Sequence, residues 1–486
     1  MRFGKDNDDR HGKYPRPKTK GHDLRRALDW IVSHGIFADV RLHGNVKWKP
    51  CALVCLAICW VWSSQPGLVE AAKDAVATVT KLFGSDALAV TTYQALTAAL
   101  VRYTPQLLPA LWTRLQSLMR QTGGADWCVG KWLPLAVDGS RVSVPRTLPN
   151  EGRFNKPRKQ RGKKKSQTQK RGRHAQRQRP KQSKKSHYNP QAVGPQMWLT
   201  LLWHIGLRLP WCWKLGPSYS SERSHLQTLL DEQRFPENTL FCADAGFVGY
   251  DFWRAIVDHN YSFLIRVGSN IRLLTHLGVV RQRGDLVYCW PDAAMKKKRP
   301  PLVLRLFRFH DARGEVYLVT NILDEQELTT RRASLIYRGR WGVELQFRSL
   351  KQTYGRAKLR ARTPEIAEIE LHWSLLGLTM LQLLARREQA RAGEPADKTS
   401  IAAVLRIVRS MIADPSEVRP PGASLQSRLR NATTDSYQRH SKKQSRNYPR
   451  RKEEPRTGPP IILTATDEQR EQARKILATQ AAAINA

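Results

Sequence analysis

Four residues at fixed spacing give the first chemical signal in this chain: Tyr337, Arg340, Glu344 and Lys351, in the pattern Y-x2-R-x3-E-x6-K. On a helix advancing about 100° per residue they fall within an arc of about 60°. One helix face then presents a carboxylate flanked by two cations and a phenol. A carboxylate is a hard oxygen ligand for a divalent cation, while Arg and Lys hold phosphate oxygens. The face therefore suits a metal ion beside a phosphate chain. The same residues also fit an exposed helix braced by i, i+4 ion pairs, Arg340 with Glu344 and Glu344 with Arg348. Leu335, Ile336, Val343, Phe347 and Leu350 occupy the adjoining face and are expected to pack on a sheet.

Two aspartates complete a possible set of ligands. Asp138 follows the apolar run LPLAV and Asp244 follows NTLFCA, each at the finish of an expected strand, where a side chain can emerge from a sheet. Asp before Gly, or before Ala-Gly, is also ordinary turn chemistry, so neither residue decides the matter alone. With Glu344 they supply two strand-borne carboxylates and one helix-borne carboxylate. Phosphodiester cleavage by two Mg²⁺ (or Mn²⁺) ions about 3.5–4 Å apart needs such a set of shared oxygens.

The elements that must position these groups follow from periodicity and punctuation. Residues 22–126 carry apolar residues near i, i+3, i+4 and i+7 and read as a helical N-terminal domain, with no clear helix-turn-helix pattern and a DNA-binding role left open. From Leu133 the pattern becomes strand-like: LPLAVDGSRVSVPRT, MWLTLLWHI, WCWKLG, NTLFCADAGF and YSFLIRVG. Helices are expected at SSERSHLQTLLDEQ, with Ser220 and Arg223 near its cap, and at GYDFWRAIVDHN. Residues 271–323 are richer in short strands, and helices return at LTTRRASLIYRGRWGVELQFRSLKQ and PEIAEIELHWSLLGLTMLQLLARREQ. The order implies an α/β sheet carrying a β-rich insertion.

Charge narrows the partners. The chain has 486 residues and a formal net charge of +41, which favours a polyanion such as nucleic acid. The excess is concentrated in blocks. Residues 153–187 hold sixteen Lys or Arg among thirty-five residues and no Asp or Glu, so a basic disordered insert is expected there. Residues 1–21 read as a disordered basic tail, and 386–486 as a basic, largely flexible C-terminal region with a short terminal helix. No signal-peptide run opens the sequence, and the apolar stretch Cys51–Trp62 is shorter than the roughly 20 residues a spanning helix needs. A cytoplasmic protein without a membrane partner is expected. Seven cysteines suggest no disulfide framework, and Cys51, Cys55 and Cys59 share a helix face as small packing residues.

The stretch YRGRWGVELQFRSLK, followed by LRARTPEIAEIELHWSLLGL, resembles the YREK signature region of IS4-type insertion-sequence transposases. VDGSRVSV is similar to the segment around that family's first aspartate and ADAGFVGYDFW to the segment around its second, in the family's order. The resemblance covers roughly residues 130–385. It implies a ribonuclease-H-like catalytic core interrupted by a β-rich insertion, here 271–323, and a DDE enzyme with Asp138, Asp244 and Glu344 as metal ligands. Tyr337, Arg340 and Lys351, with Arg348 beside them, would contact DNA, and Trp290 would stack on a flipped base. The implied activity is cleavage at terminal inverted repeats of double-stranded DNA and joining to target DNA, by a bacterial, nucleoid-associated homodimer. A nuclease or domesticated relative of the same core, and a non-catalytic basic nucleic-acid-binding protein, remain the alternatives.

Overall fold

The computed structural model describes residues 23–38, 40, 48–88, 91–156, 194–281, 283–311, 314–413, 424–434 and 458–485. The tail expected at 1–21 and all but the first four residues of the basic insert expected at 153–187 lie outside them. The chain opens with helices α1 (Asp23–Ile31), α2 (Pro50–Trp62), α3 (Leu68–Phe83) and α4 (Tyr93–Gly123). Helix α2 is apolar on every side, and each residue from Leu53 to Trp62 is buried, as a helix without a polar face must be. Among the described residues no helix is long and apolar enough to cross a membrane. Cys55 and Cys59 lie in this core, where burial pushes the Cys59 thiol up to about 12; they pack as neutral thiols.

The sheet begins at β1 (Leu133–Ser143), followed by α5 (Leu148–Phe154), β2 (Gln196–His204) and β3 (Leu209–Pro217). Helix α5 takes in Arg153 and Phe154, so the first residues of the expected insert are helical, with Arg153 paired to Glu368. Next come α6 (Glu222–Glu232), β4 (Thr239–Ala243), α7 (Tyr250–Asp258) and β5 (Ser262–Val267). Strand β1 runs antiparallel to β2 and parallel to β4, β2 is antiparallel to β3, and β4 is parallel to β5. The spatial order β5-β4-β1-β2-β3 is that of a ribonuclease-H-like core, as expected from the sequence. Its central strand is buried on both faces over Leu133–Val137, which explains the unbroken apolar run before Asp138.

The β-rich insertion holds β6 (Arg272–Thr275), β7 (Leu286–Cys289), helix α8 (Asp292–Lys296), β8 (Leu302–Asp311) and β9 (Gly314–Thr320). It is not a separate layer. Strand β9 pairs antiparallel with β5, so the insertion prolongs the core sheet through β8, β7 and β6.

The remaining helices are α9 (Thr330–Gly339), α10 (Gly342–Arg348), α11 (Pro364–Arg391), α12 (Ile401–Ala413) and α13 (Leu425–Arg430), followed by β10 (Ile461–Thr464) and α14 (Asp467–Asn485). Helix α11 is the spine of the molecule. The N-terminal helices pack against it through Trp62, whose Nε1 donates to Gly377 O, and through Thr104, whose Oγ1 accepts from Trp373 Nε1. The helical N-terminal region and the sheet therefore share one hydrophobic core. Helices α12 and α13 also lie on α11, while β10 pairs with β6 at the far edge of the sheet. The C-terminal region, expected to be largely flexible with a short helix, thus contributes packed elements where it is described. Its terminal helix, α14, has 19 residues. Apolar residues such as Val404, Leu405 and Val408 recur at helical spacing there, within a composition dominated by charge.

Candidate active site

Register places the two aspartates. The parallel pairing of β1 with β4 ends at Ala136 opposite Cys242. Two residues further along each chain stand Asp138 and Asp244, level with one another and on the same sheet face as the pair they follow. Asp138 is not at a strand end, as its apolar run suggested. Strand β1 continues to Ser143, with Asp138 paired opposite Leu201 of β2. What ends at this point is the contact with β4, and the opening it leaves is where both side chains emerge. Each is oriented by a backbone amide: Asp138 Oδ1 accepts from Gly139 N at 2.8 Å, and Asp244 Oδ1 accepts from Gly246 N at 2.8 Å.

The third acid arrives on a helix that is not regular. The sequence pattern implies one continuous helix, whereas the structure has α9, a turn at Arg340–Trp341, α10, and then a π-helical turn, Ser349–Thr353. At the turn, Val343 N and Glu344 N bond to the carbonyls of Arg340 and Trp341, three residues back. Ile336, Val343, Phe347 and Leu350 are buried as expected, but Leu335 is 63% exposed. The π-helical turn carries Lys351 back over β1, where its Nζ donates to Ser140 Oγ at 2.6 Å.

Arg340 lies among the acids. It is buried, with its guanidinium 3.9 Å from both Asp138 and Glu344, and Tyr337 presents its ring face 5.6 Å away. Burial opposes the Arg340 charge, but Tyr337, Asp138, Asp244 and Glu344 together outweigh it and hold the guanidinium above its ordinary value. Asp138 behaves differently. Burial pushes its carboxyl up to about 6, Asp244 and Glu344 add to the rise, and the Gly139 amide and Arg340 only partly offset it. A fourth acid feels the same field: burial, then the charges of Asp138 and Asp244, push Glu222 up to about 7.

Among the described residues no three ligating side chains enclose an ion position as they stand. The donor set nonetheless fits a hard divalent cation: the half-buried carboxylates of Asp138, Asp244 and Glu344 are hard oxygen donors that share one guanidinium.

The family model described as "Transposase DDE domain" matches residues 133–380, about half of the chain. The chain belongs to this family. Asp138, Asp244 and Glu344 all fall inside the matched DDE domain. The transposase InsG for insertion sequence element IS4 of Escherichia coli (strain K12) is 25% identical over 210 residues, 41% of this chain and 46% of that protein. A putative transposase, y4zB, of Sinorhizobium fredii (strain NBRC 101917 / NGR234) is 26% identical over 154 residues, 29% of this chain and 42% of its own length. The chain thus matches less than half the length of these relatives. A cryo-EM structure of the piggyBac transposase synaptic complex with hairpin DNA overlays at a TM-score of 0.38 and 10% identity, covering 86% of this chain and 87% of that one.

The other expected DNA contacts of this DDE domain separate. Tyr337 and Lys351 stay beside the acids, both half-buried, and Arg340 lies between them. Arg348 is exposed and lines a different cavity, with Trp203, Arg208 and Ser400. Trp290 is not available for base stacking: it is 3% exposed, with its Nε1 bonded to Arg299 O. Its burial just after β7 is a tertiary feature that a sequence window does not reveal. Glu222, Gly139 and Ser140 join these residues at the site without a local sequence pattern that marks them. Glu222 was visible between Ser220 and Arg223, but the N-cap is Ser221, whose side chain accepts from Ser224 N, and this puts Glu222 in the first helical turn.

Proposed function

We propose that this chain is a DNA transposase that cleaves transposon ends and joins them to target DNA, with Asp138, Asp244 and Glu344 holding divalent cations. The observation that carries the reading is the level placement of Asp138 and Asp244 where β1 and β4 part, with Glu344 brought to the same guanidinium by α10. Two Mg²⁺ or Mn²⁺ ions held there would activate the attacking oxygen and stabilise the leaving one. The Gly139 and Gly246 amides fix one oxygen of each aspartate, leaving the other for ligation. Arg340 keeps the acids ionised and in place, a role its burial favours over direct grip on an exposed backbone. Lys351, held by Ser140 two residues from Asp138, is placed to contact the scissile phosphate as a point charge. The net charge of +41 supports double-stranded DNA, as terminal inverted repeats and target, as the partner. Two ends require two active sites, which favours a homodimer on DNA. The test is incubation of purified protein with the DNA flanking its coding region. Mg²⁺-dependent nicking at the repeat boundary supports the reading, and cleavage indifferent to chelator and to position would defeat it.

A further inference from the structure

We propose that Glu222 is a fourth carboxylate of the metal site, reaching it through the space that Gly139 leaves open. The proposal rests on the metal-site reading above and adds a residue to the Asp-Asp-Glu set.

Asp138 and Ser140 point to one face, the face over which Lys351 is held by Ser140. Gly139 and its register partner Thr200 point to the other, where Thr200 Oγ1 bonds to His225 Nδ1 of α6 at 2.9 Å. Helix α6 therefore covers the face opposite to α10. Its first turn lies against Gly139: a Cβ built there would come 2.3 Å from Glu222 Oε1 and 2.5 Å from Glu222 Cγ. No residue but glycine leaves the Glu222 carboxylate where it is. The position adjoins Asp138, at the level where β1 and β4 have stopped pairing, so the sheet is open between its faces. The charges of Asp138 and Asp244 both act on Glu222, which places it within their shared field.

The charge balance beside Glu222 is unequal. Asp138, Asp244 and Glu344 act on the one Arg340 guanidinium, and Glu222 adds a further negative charge beside Asp138 and Asp244. A buried charge is retained where it coordinates a metal or is paired. Location in the first turn of α6 adds a favourable interaction of the Glu222 carboxylate with the helix N-terminus. Ligands supplied from both faces would hold a cation in the opening of the sheet more firmly than three from one side.

The experiment is Mn²⁺ titration of the full chain, followed by the electron paramagnetic resonance signal of free Mn²⁺. Glu222→Gln, of nearly the same shape, is expected to weaken Mn²⁺ binding at least about tenfold, in the range that loss of a metal-site partner produces. Gly139→Ala provides a second variant that keeps the fold, because the atoms it meets are the flexible end of Glu222. It should weaken Mn²⁺ binding as Glu222→Gln does, and the double variant should be no worse than either. Asp138→Asn and Glu344→Gln serve as the reference. If they weaken Mn²⁺ binding while Glu222→Gln and Gly139→Ala do not, the inference is overturned and the three-carboxylate reading stands. If none of the four changes binding, both fall.

Discussion

Burial of an ionised Asp138, with other acids beside it, should make the metal-free protein less stable than it would be with that charge removed, and Asp138→Asn exposes this. The Asp138 carboxyl is pushed from 3.8 to about 6 in the folded chain. At about 1.4 kcal/mol per pH unit, its ionised form is disfavoured by about 3 kcal/mol relative to the unfolded chain. With a raised folded value, the native state binds more protons than the unfolded state between pH 3.8 and about 6, so stability falls as pH rises through that window. Above it the penalty is complete, and below it the penalty is absent. Asparagine resembles the neutral acid and keeps an oxygen for the Gly139 amide. In chelator, urea unfolding followed by tryptophan fluorescence should show Asp138→Asn to be more stable than the parent at pH 7.5, by up to about 3 kcal/mol. The gain should shrink to about 0.5 kcal/mol by about pH 4 and vanish below that. Equal stability at pH 7.5, or a gain that persists unchanged at pH 4, would refute the reasoning, because either result means that Asp138 is not under electrostatic load.

Removing the guanidinium should do the opposite to the acids. Arg340→Gln is expected to raise the Asp138 carboxyl further, since Arg340 lowers it, so Mn²⁺ binding should require higher pH, as read from titrations across pH 5–8. Lys351→Met should reduce cleavage about 10²-fold through loss of phosphate positioning while leaving Mn²⁺ affinity unchanged; a matching loss of metal affinity would place Lys351 with the ligands. Trp290→Ala should destabilise the fold by about 3–5 kcal/mol, as a large buried side chain does when truncated. Its folded fraction should bind DNA as the parent does, and a selective loss of DNA affinity would restore the stacking role.

The sequence made the chemistry more legible than the geometry. The spacing of Tyr337, Arg340, Glu344 and Lys351 predicts one helical face, because side-chain direction on a helix follows from counting, and the structure brings Arg340 to Glu344 and Asp138 across a broken helix. The spacing could not show the turn at Arg340–Trp341 or the π-helical turn at Ser349–Thr353, since both are fixed by packing on β1 and by the Lys351–Ser140 bond. Asp138 and Asp244 were marked by the apolar runs before them. Their level placement depends on the β1–β4 register, a pairing of segments about a hundred residues apart that no local pattern encodes. Glu222 was missed for the same reason, as its significance comes from a glycine in another strand. Trp290 is open in sequence to both a stacking and a buried role, because aromatic residues in a strand-rich insertion look alike whether they face solvent or the core. The packed helices α12 and α13 were hidden by a basic composition that usually marks flexible chain.

Three acids, from β1, the end of β4 and α10, are proposed to form one metal centre. Replacing Mg²⁺ with Fe²⁺ in the full chain, and adding ascorbate and peroxide, cuts the backbone wherever the bound iron generates hydroxyl radicals. Peptide mapping should find cuts clustered together around Asp138, Asp244 and Glu344, all suppressed by excess Mg²⁺ and all lost in Asp138→Asn. Cuts confined to one of these segments, or placed elsewhere and indifferent to Mg²⁺, would contradict a shared centre.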